Sequence, residues 1–328
     1  MTALPIIETP SPAAQWTKPG CCRSEAVSWL DALTGIRRRC TRPGGNPTPA
    51  PPPIRGALVD LRVARYGVRV TSASVDRPGR QVVVVGIGAG DPQLVTLEAL
   101  AALAGVDVIV GFDKGERAAE LHAVREAVLD SARDGRPCRV VQIADGRRDE
   151  AKGYEQAVGA WHGGRADALE RVLLEEVADD EVVGLLVWGD PSLYDSTLRV
   201  LDQVAAHGRV DVHVRVVPGV SSLHVLTARF AIALHAVGGS VLITTGRRLR
   251  QGIPDGIDDV AVFLDAECSF TAMTDGGWHI YWGAFLGMPD ERLVSGSVDE
   301  VADDLVRIRE DLRQRHGWLF DCYLLRRR

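Results

Sequence analysis

The chain has little cysteine for its length and lacks the cysteine spacing of metal sites. Six cysteines are scattered over 328 residues, and only Cys21 and Cys22 are close together. This distribution argues against a disulfide scaffold, and without a Cys-x-x-Cys pair nothing indicates zinc. We interpret Cys138, Cys268 and Cys322 as small core residues and predict no metal site.

Long apolar runs are missing as well. No stretch approaches the roughly 20 uncharged apolar residues of a membrane helix, since even residues 97–111 contain Glu98 and Asp107. The N-terminus lacks the compact apolar segment of a secretory signal. With 46% hydrophobic and 25% charged residues, the composition is that of an ordinary globular protein, large enough for two domains. We therefore expect a cytoplasmic protein with no membrane partner.

Positive charge is scarce in most of the chain. Residues 1–80 hold 12 Lys and Arg against 5 Asp and Glu, a net charge of +7, while the remainder carries −13 of the chain's total of −6. An acidic globular part disfavours nucleic acid as a partner. A polyanionic substrate would need local clusters of Arg and Lys.

The first 79 residues lack any sustained apolar period and contain the proline-rich run 47–53. This composition predicts a disordered N-terminal extension over residues 1–79. The run Arg37-Arg38-Arg39 is typical of a solvated tail. A nucleic-acid contact or a targeting element remains the alternative.

From Gln81 onward, short β-rich runs alternate with segments of helical period. We predict an α/β protein with an N-terminal domain over residues 80–217 and a C-terminal domain over 218–328. The first domain should hold a parallel sheet, and the second a mixed sheet with more antiparallel character. Strands are predicted at 81–85, 106–110, 138–143, 182–187, 212–217, 240–244, 259–264, 279–286 and 318–325. Helices are predicted at 96–104, 114–129, 150–177, 196–207, 221–231, 270–275 and 299–313.

Two glycine-rich turns follow buried strands. The turn at 86–92 reads Gly-x-Gly-x-Gly-Asp-Pro, so it misses the third glycine of the dinucleotide fingerprint and the Lys-Ser/Thr of a P-loop. Its Asp91 and Pro92 should begin a helix as N-cap and first residue. Taken alone, the turn fits a tight bend as well as a close backbone approach to a ligand. Gly189-Asp190-Pro191 repeats the pattern after a second strand, where ligands bind in open α/β sheets.

In these turns the sequence resembles the tetrapyrrole methylase family. The resemblance is strongest in three stretches, Val83-Val84-Val85-Gly86-Ile87-Gly88-Ala89-Gly90-Asp91-Pro92, Trp188-Gly189-Asp190-Pro191-Ser192-Leu193-Tyr194 and Val217-Pro218-Gly219-Val220-Ser221-Ser222. Further similarity to one subgroup of the family lies at 193–199, 243–249, 281–284 and 317–328. It covers about three-quarters of the chain, from Gln81 to the end.

The resemblance implies a tetrapyrrole methylase fold in which S-adenosylmethionine binds in a cleft between the two α/β domains. It implies a C-methyltransferase of corrin (cobalamin) synthesis that acts on a precorrin with loss of acetate, and a homodimer. A sibling methylase acting at another ring position is the nearest alternative. A nicotinamide-linked reductase and a non-catalytic S-adenosylmethionine-binding module are alternatives of other classes.

By family position, the resemblance also implies the residues that line the cofactor pocket. Ala89 stands where many relatives have proline, and Asp265 where some have an apolar residue, so Asp265 could be a hydrogen-bond acceptor particular to this subgroup. The implied set is Gly88, Ala89, Gly90, Asp91, Trp188, Gly189, Asp190, Leu193, Ser221, Ser222, Asp265 and Leu286.

Asp113 follows the second predicted strand and matches an aspartate that serves as proton acceptor in relatives. The alternative is an N-cap or an ion pair with Lys114 or Arg117. Substrate carboxylates call for fork-shaped donors. Candidate substrate-binding residues are Lys114, Tyr194, Arg247 and Arg248. For the charged residues, the alternative is a solvated surface position. Tyr194 and Trp282 could stack on the macrocycle, and the alternative for both is a position in the core.

Overall fold

Four consecutive valines form the centre of the first sheet. The structure is a computed structural model that describes residues 79–113, 119–146, 154–274 and 276–328. Val82 and Val84 pack into the apolar cluster on one face of the sheet, and Val83 and Val85 into the cluster on the other. The strand is therefore covered on both faces, as predicted for a parallel sheet.

The first sheet has five strands in the order β3-β2-β4-β1-β5, and every described pair is parallel. The strands are β1 (Arg80–Gly86), β2 (Val108–Asp113), β3 (Arg139–Ala144), β4 (Val182–Val187) and β5 (Val212–Val217). The connecting helices are α1 (Leu97–Ala104), α2 (Ala119–Arg133), α3 (Tyr154–Glu175) and α4 (Thr197–His207). A 3-10 turn at Pro92–Leu94 precedes α1.

Three neighbouring strands of this sheet, β4, β1 and the edge strand β5, end at the same level. Gly86, the last residue of β1, is paired with Val187 at the end of β4, and Val85 is paired with Val217 at the end of β5. The loops that leave these strands therefore start side by side. They are the three stretches that carry the family resemblance.

The second sheet has the order β6-β7-β10-β8-β9. Only β6 and β7 run parallel, and the other pairs are antiparallel, so the predicted mixed sheet is confirmed. Its strands are β6 (Val241–Thr245), β7 (Asp259–Phe263), β8 (Trp278–Ala284), β9 (Arg292–Ser297) and β10 (Asp321–Arg327). Its helices are α5 (Ser222–Arg229), the single turn α6 (Gly246–Leu249) and α7 (Val298–His316), with a 3-10 turn at Ser269–Met273.

The predicted α/β class is confirmed, but some elements differ from the sequence-based prediction. The strand expected at 106–110 begins at Val108, and the helix expected at 270–275 is the 3-10 turn. Strand β9 was not predicted, because its polar run Ser295-Gly296-Ser297 hides the short apolar pair before it. The extension predicted for residues 1–79 falls almost wholly on residues 1–78, outside the described residues. The boundary at 217/218 stays a prediction; it falls between β5 and α5.

A buried polar cluster anchors the second sheet to α7. Arg309 of α7 is 3% exposed, and its Nε lies 2.8 Å from Oδ2 of Asp321 on β10. It also donates to the Asp265 carbonyl and to Sγ of Cys268. Trp282 donates its indole N–H to Asp321 at 2.8 Å. A charge buried this deeply is tolerated only because it is paired and hydrogen-bonded.

No helix within the four described ranges combines the length and the apolarity that crossing a bilayer requires. All of these ranges belong to one compact unit.

Replacing Arg309 by Met should lower the free energy of unfolding by about 3–5 kcal/mol, because Asp321 would be left as a buried, unpaired carboxylate. Arg307→Met is the matched control, since Arg307 lies on the same helix with a side chain 72% exposed. Its ion pair with Asp304 is at the surface, and such a pair contributes about 0–1 kcal/mol. Chemical denaturation of the full chain measures both. Equal losses in the two variants would contradict the role of Arg309.

Candidate active site

The two Gly-Asp-Pro turns are hydrogen-bonded directly to each other. Gly88 and Gly189 form an isolated antiparallel bridge, in which the Gly189 amide donates to the Gly88 carbonyl at 2.7 Å. The amide of Ile87 donates to the Val187 carbonyl at 2.9 Å. Gly88 and Gly189 both have positive φ, at 78° and 64°, which glycine adopts without strain. The two turns thus form one continuous wall at the carboxyl end of the sheet.

The turn after β5 packs against this wall backbone to backbone. A methyl group at Gly219 would lie 2.0 Å from the Gly189 carbonyl oxygen and 2.8 Å from the Gly86 carbonyl carbon. A methyl group at Gly86 would in turn lie 2.6 Å from the Gly219 amide nitrogen. Only residues without a side chain can occupy Gly86 and Gly219 at this separation.

The carboxylate of Asp190 ties the same turns together. Its Oδ2 accepts the Gly219 amide at 2.9 Å, and its Oδ1 accepts both the amide and the hydroxyl of Ser192. Burial disfavours the charged form, but these hydrogen bonds outweigh it and lower the pKa of Asp190. Asp190 is therefore an ionised residue that sets the shape of the loop.

The first turn ends as the sequence predicts. Asp91 caps the 3-10 turn by accepting the Gln93 amide at 2.8 Å, and Pro92 is its first residue. The amides of Ala89 and Gly90 donate no hydrogen bond to any residue that the structure describes. These two N–H groups can therefore serve a bound ligand.

The loop after β8 closes the other side of this turn. Gly287 lies so close that a methyl group on it would be 3.0 Å from the Asp91 amide, and one on Gly90 would be 2.5 Å from Cγ of Met288. Behind the loop, an apolar cluster draws side chains from the second sheet, from α5 and from the turns that follow the strands of the first sheet. Its members include Ala89, Leu193, Val220, Phe263, Leu286 and Leu324.

The N-terminus of α5 completes the site. Ser221 is 4% exposed, and its hydroxyl lies 2.7 Å from Nδ1 of the exposed His224. The Cα of Ser221 would be 3.6 Å from a methyl group on Gly189. Ser222 lies within reach of Cys322 on β10. The structure thus brings eleven of the twelve predicted pocket residues to adjoining loops.

Asp265, the twelfth, requires a correction. Its carboxylate accepts the amide and hydroxyl of Ser269 and the Tyr323 hydroxyl, at 2.6, 2.8 and 2.7 Å, and the Glu267 amide at 3.3 Å. Four donors saturate a carboxylate, and the residue is only 4% exposed. The side chain is therefore a structural group, not a free acceptor for a cofactor.

Asp113 ends β2 with a side chain that is 47% exposed. Its Oδ1 lies 3.7 Å from Nε2 of His122 on α2, so a histidine is one of its partners. Lys114 and Arg117, the partners considered from the sequence, are outside the described residues.

Three of the four predicted substrate residues, Tyr194, Arg247 and Arg248, lie within the described residues. Arg247 and Arg248 are exposed on α6, where Thr245 caps the Arg248 amide. Tyr194 is 39% exposed at φ 55°, and its ring centroid lies 5.1 Å from that of Phe263. Burial raises the pKa of Tyr194. Trp282 is fully buried, which makes it a core residue.

The sequence did not single out Arg125, although it lines a cavity of about 170 Å³ beside β2 and β4. Arg125 lies within an ordinary charged helix and belongs to no motif, so the linear sequence carries no signal for it. Trp188 lines the same cavity.

Comparisons with known proteins agree on one family. The family model described as Tetrapyrrole (Corrin/Porphyrin) Methylases matches residues 81–302. A precorrin-6A synthase (deacetylating) from Sinorhizobium sp is 39% identical over 249 residues, which cover 76% of this chain and 95% of that protein. A cobalt-precorrin-4 C(11)-methyltransferase from Methanocaldococcus jannaschii is 27% identical over 68% of this chain and 81% of its own length.

Among solved structures, this chain is similar to a cobalamin synthesis related protein (CobF) from Corynebacterium diphtheriae. The two have a TM-score of 0.65 and 34% sequence identity, over 76% of this chain and 98% of that one.

We expect Gly219→Ala to weaken binding of S-adenosylhomocysteine about 10- to 100-fold, because overpacking of this kind costs about 1–3 kcal/mol. Gly163→Ala is the control, since a methyl group there meets no atom within 4 Å and alanine favours the helix. Isothermal titration calorimetry on the full chain gives both affinities. Unchanged affinity in Gly219→Ala would show that the contact between the turns does not shape the site.

Proposed function

This chain belongs to the tetrapyrrole (corrin/porphyrin) methylase family and is an S-adenosylmethionine-dependent methyltransferase of cobalamin synthesis, and we propose that it converts precorrin-5 to precorrin-6A. In this reaction the methyl group of S-adenosylmethionine passes to a ring carbon, which leaves S-adenosylhomocysteine. Water adds to the acetyl carbonyl, the bond between that carbonyl and the macrocycle breaks, and acetate is released. The observation that carries the proposal is the 39% identity to a precorrin-6A synthase over 95% of that protein's length.

The residues at the carboxyl end of the first sheet fit S-adenosylmethionine. The amides of Ala89 and Gly90 donate to no described residue, and the glycines at 88, 90 and 189 have positive φ, which lets the turns bend without strain. Ala89, Leu193 and Leu286 provide an apolar surface for an adenine ring. We propose that these residues hold the cofactor together with a second group that acts mainly through its backbone. That group consists of Gly88, Asp91, Trp188, Gly189, Asp190, Ser221 and Ser222.

Methyl transfer from a sulfonium requires alignment more than acid catalysis. The cofactor supplies an activated methyl group with a neutral thioether as leaving group. The protein has to place the ring carbon in line with that methyl, a task worth several kcal/mol when the geometry is fixed in advance. Loops locked by the Gly88–Gly189 bridge and by Asp190 suit this purpose.

Proton transfer and loss of acetate require a base, and we propose Asp113 for that role. The carboxylate is exposed at the carboxyl end of β2, and His122 lies 3.7 Å away, where it can stabilise the charge or exchange a proton. A base at this position could activate the water that attacks the acetyl carbonyl. Lys114, Tyr194, Arg247 and Arg248 are the proposed contacts to the tetrapyrrole.

The proposal also includes a homodimer located in the cytoplasm. Both statements rest on the family resemblance. A nicotinamide-linked reductase is disfavoured by the spacing of the first turn, which lacks the third glycine of the dinucleotide fingerprint.

Incubation of the full chain with precorrin-5 and methyl-labelled S-adenosylmethionine should yield a product that carries one new labelled methyl, together with one equivalent of acetate. Mass spectrometry detects the tetrapyrrole, and NMR detects acetate. Methyl transfer without acetate would indicate a sibling methylase acting at another ring position. Binding of the cofactor without any transfer would contradict the enzymatic proposal.

Asp113→Asn should lower kcat at least 100-fold, since a positioned base contributes about 10²- to 10⁴-fold. The affinity for S-adenosylhomocysteine should stay unchanged, because Asp113 is not among the cofactor residues. Asp180→Asn, an exposed position before β4, serves as the control and should keep full activity. Full activity in Asp113→Asn would eliminate Asp113 as the base.

A further inference from the structure

The cavity of about 170 Å³ beside β2 and β4 holds no ligand in the function proposed so far, in which Trp188 of its lining contacts the cofactor through its backbone. We infer that it is a carboxylate subsite, in which the side-chain N–H groups of Arg125 and Trp188 bind one carboxylate arm of the tetrapyrrole substrate. This inference rests on the proposed function and deepens it.

Two residues that line this cavity each carry a buried N–H donor without an acceptor. Nε of Arg125 and Nε1 of Trp188 are both inaccessible to solvent, and neither has a hydrogen-bond partner within the described part of the chain. Buried N–H groups are nearly always paired, and an unpaired one costs about 1–3 kcal/mol. Two such donors around one cavity indicate an oxygen-bearing ligand.

The charges around the cavity favour an anion at Arg125. Arg165, also in the lining, is already neutralised by a two-point ion pair with Asp145 and stacks on Phe112 with 4.4 Å to the ring centroid. Arg125 forms no two-point ion pair with any residue that the structure describes. A guanidinium stays charged in a protein and binds carboxylates through parallel N–H groups.

Two acidic side chains also face the cavity. Asp195 attracts Arg125, but its Oδ1 accepts the Thr197 amide at 2.6 Å, and Glu126 is exposed. Burial lowers the pKa of Arg125, and Asp195 opposes that shift. Asp195 can therefore orient the guanidinium, and no described residue accepts its Nε–H.

The size and position of the cavity suit an arm of the substrate and exclude the macrocycle. Sites for drug-sized ligands span about 300–1,000 Å³, so 170 Å³ accommodates a short carboxylate chain only. Phe112 and Trp188, at the carboxyl ends of β2 and β4, belong to its lining. An arm held there would leave the ring next to Asp113 and the glycine turns.

A titration with sodium propionate tests the subsite without any catalysis. The indole N–H resonance of Trp188, assigned through Trp188→Phe, should move downfield and saturate in the wild-type chain. Arg125→Met should abolish the shift, whereas Arg171→Met, an exposed position on α3, should retain it. No saturable shift, or the same shift in Arg125→Met, would overturn the proposal.

Steady-state kinetics distinguish whether the cavity binds a carboxylate arm of the substrate or the acetate released in the reaction. Arg125→Met should raise KM for the tetrapyrrole about 10- to 100-fold, as expected for loss of a charged hydrogen bond, with unchanged affinity for S-adenosylhomocysteine. Trp188→Phe, which removes the indole N–H alone, should raise KM less. Unchanged KM in Arg125→Met, together with weaker product inhibition by added acetate, would place the released acetate in the cavity and overturn the assignment to an arm. If the wild-type chain transfers no methyl, the proposed function fails, while the propionate titration still decides the subsite.

Discussion

The site depends on the contact of three backbones, at Gly86, Gly189 and Gly219. The parallel register brings β1, β4 and β5 to an end at one level, so their loops must share the same space. They can do so only because Gly86 and Gly219 have no side chain, with 2.0 Å between a methyl group at Gly219 and the Gly189 oxygen. Asp190 then fixes the arrangement from within.

The second sheet contributes to the site through the loop after β8, which packs against the first glycine turn. Its β8 loop, at Gly287 and Met288, lies against Gly90 and Asp91, and a shared apolar cluster fills the space behind. The sheet itself is held by Arg309, Asp321 and their partners. The amides of Ala89 and Gly90, which donate to no described residue, belong to this contact region, and we propose that the cofactor binds there.

Much of this could be predicted from sequence, because strong local signals coincide with the elements that matter. The valines of β1 and the run at 182–187 form buried strands, the run at 212–217 forms the edge strand β5, and the glycine turns that follow them mark the ligand edge. Asp265 and Arg125 could not be read in this way. The partners of Asp265 are 4 and 58 residues away, and Arg125 and Trp188 line one cavity only in the folded chain. Strand β9 exists because β8 pairs with it, a contact that its polar sequence does not reveal.

The most direct test of the account is a crystal structure of the full chain with S-adenosylhomocysteine. The account predicts one ligand per chain, bound against Ala89, Gly90 and Leu193 on one side and Leu286 on the other, with the Gly88–Gly189 bridge intact. A ligand bound elsewhere, or one that separates the two glycine turns, would contradict the central claim.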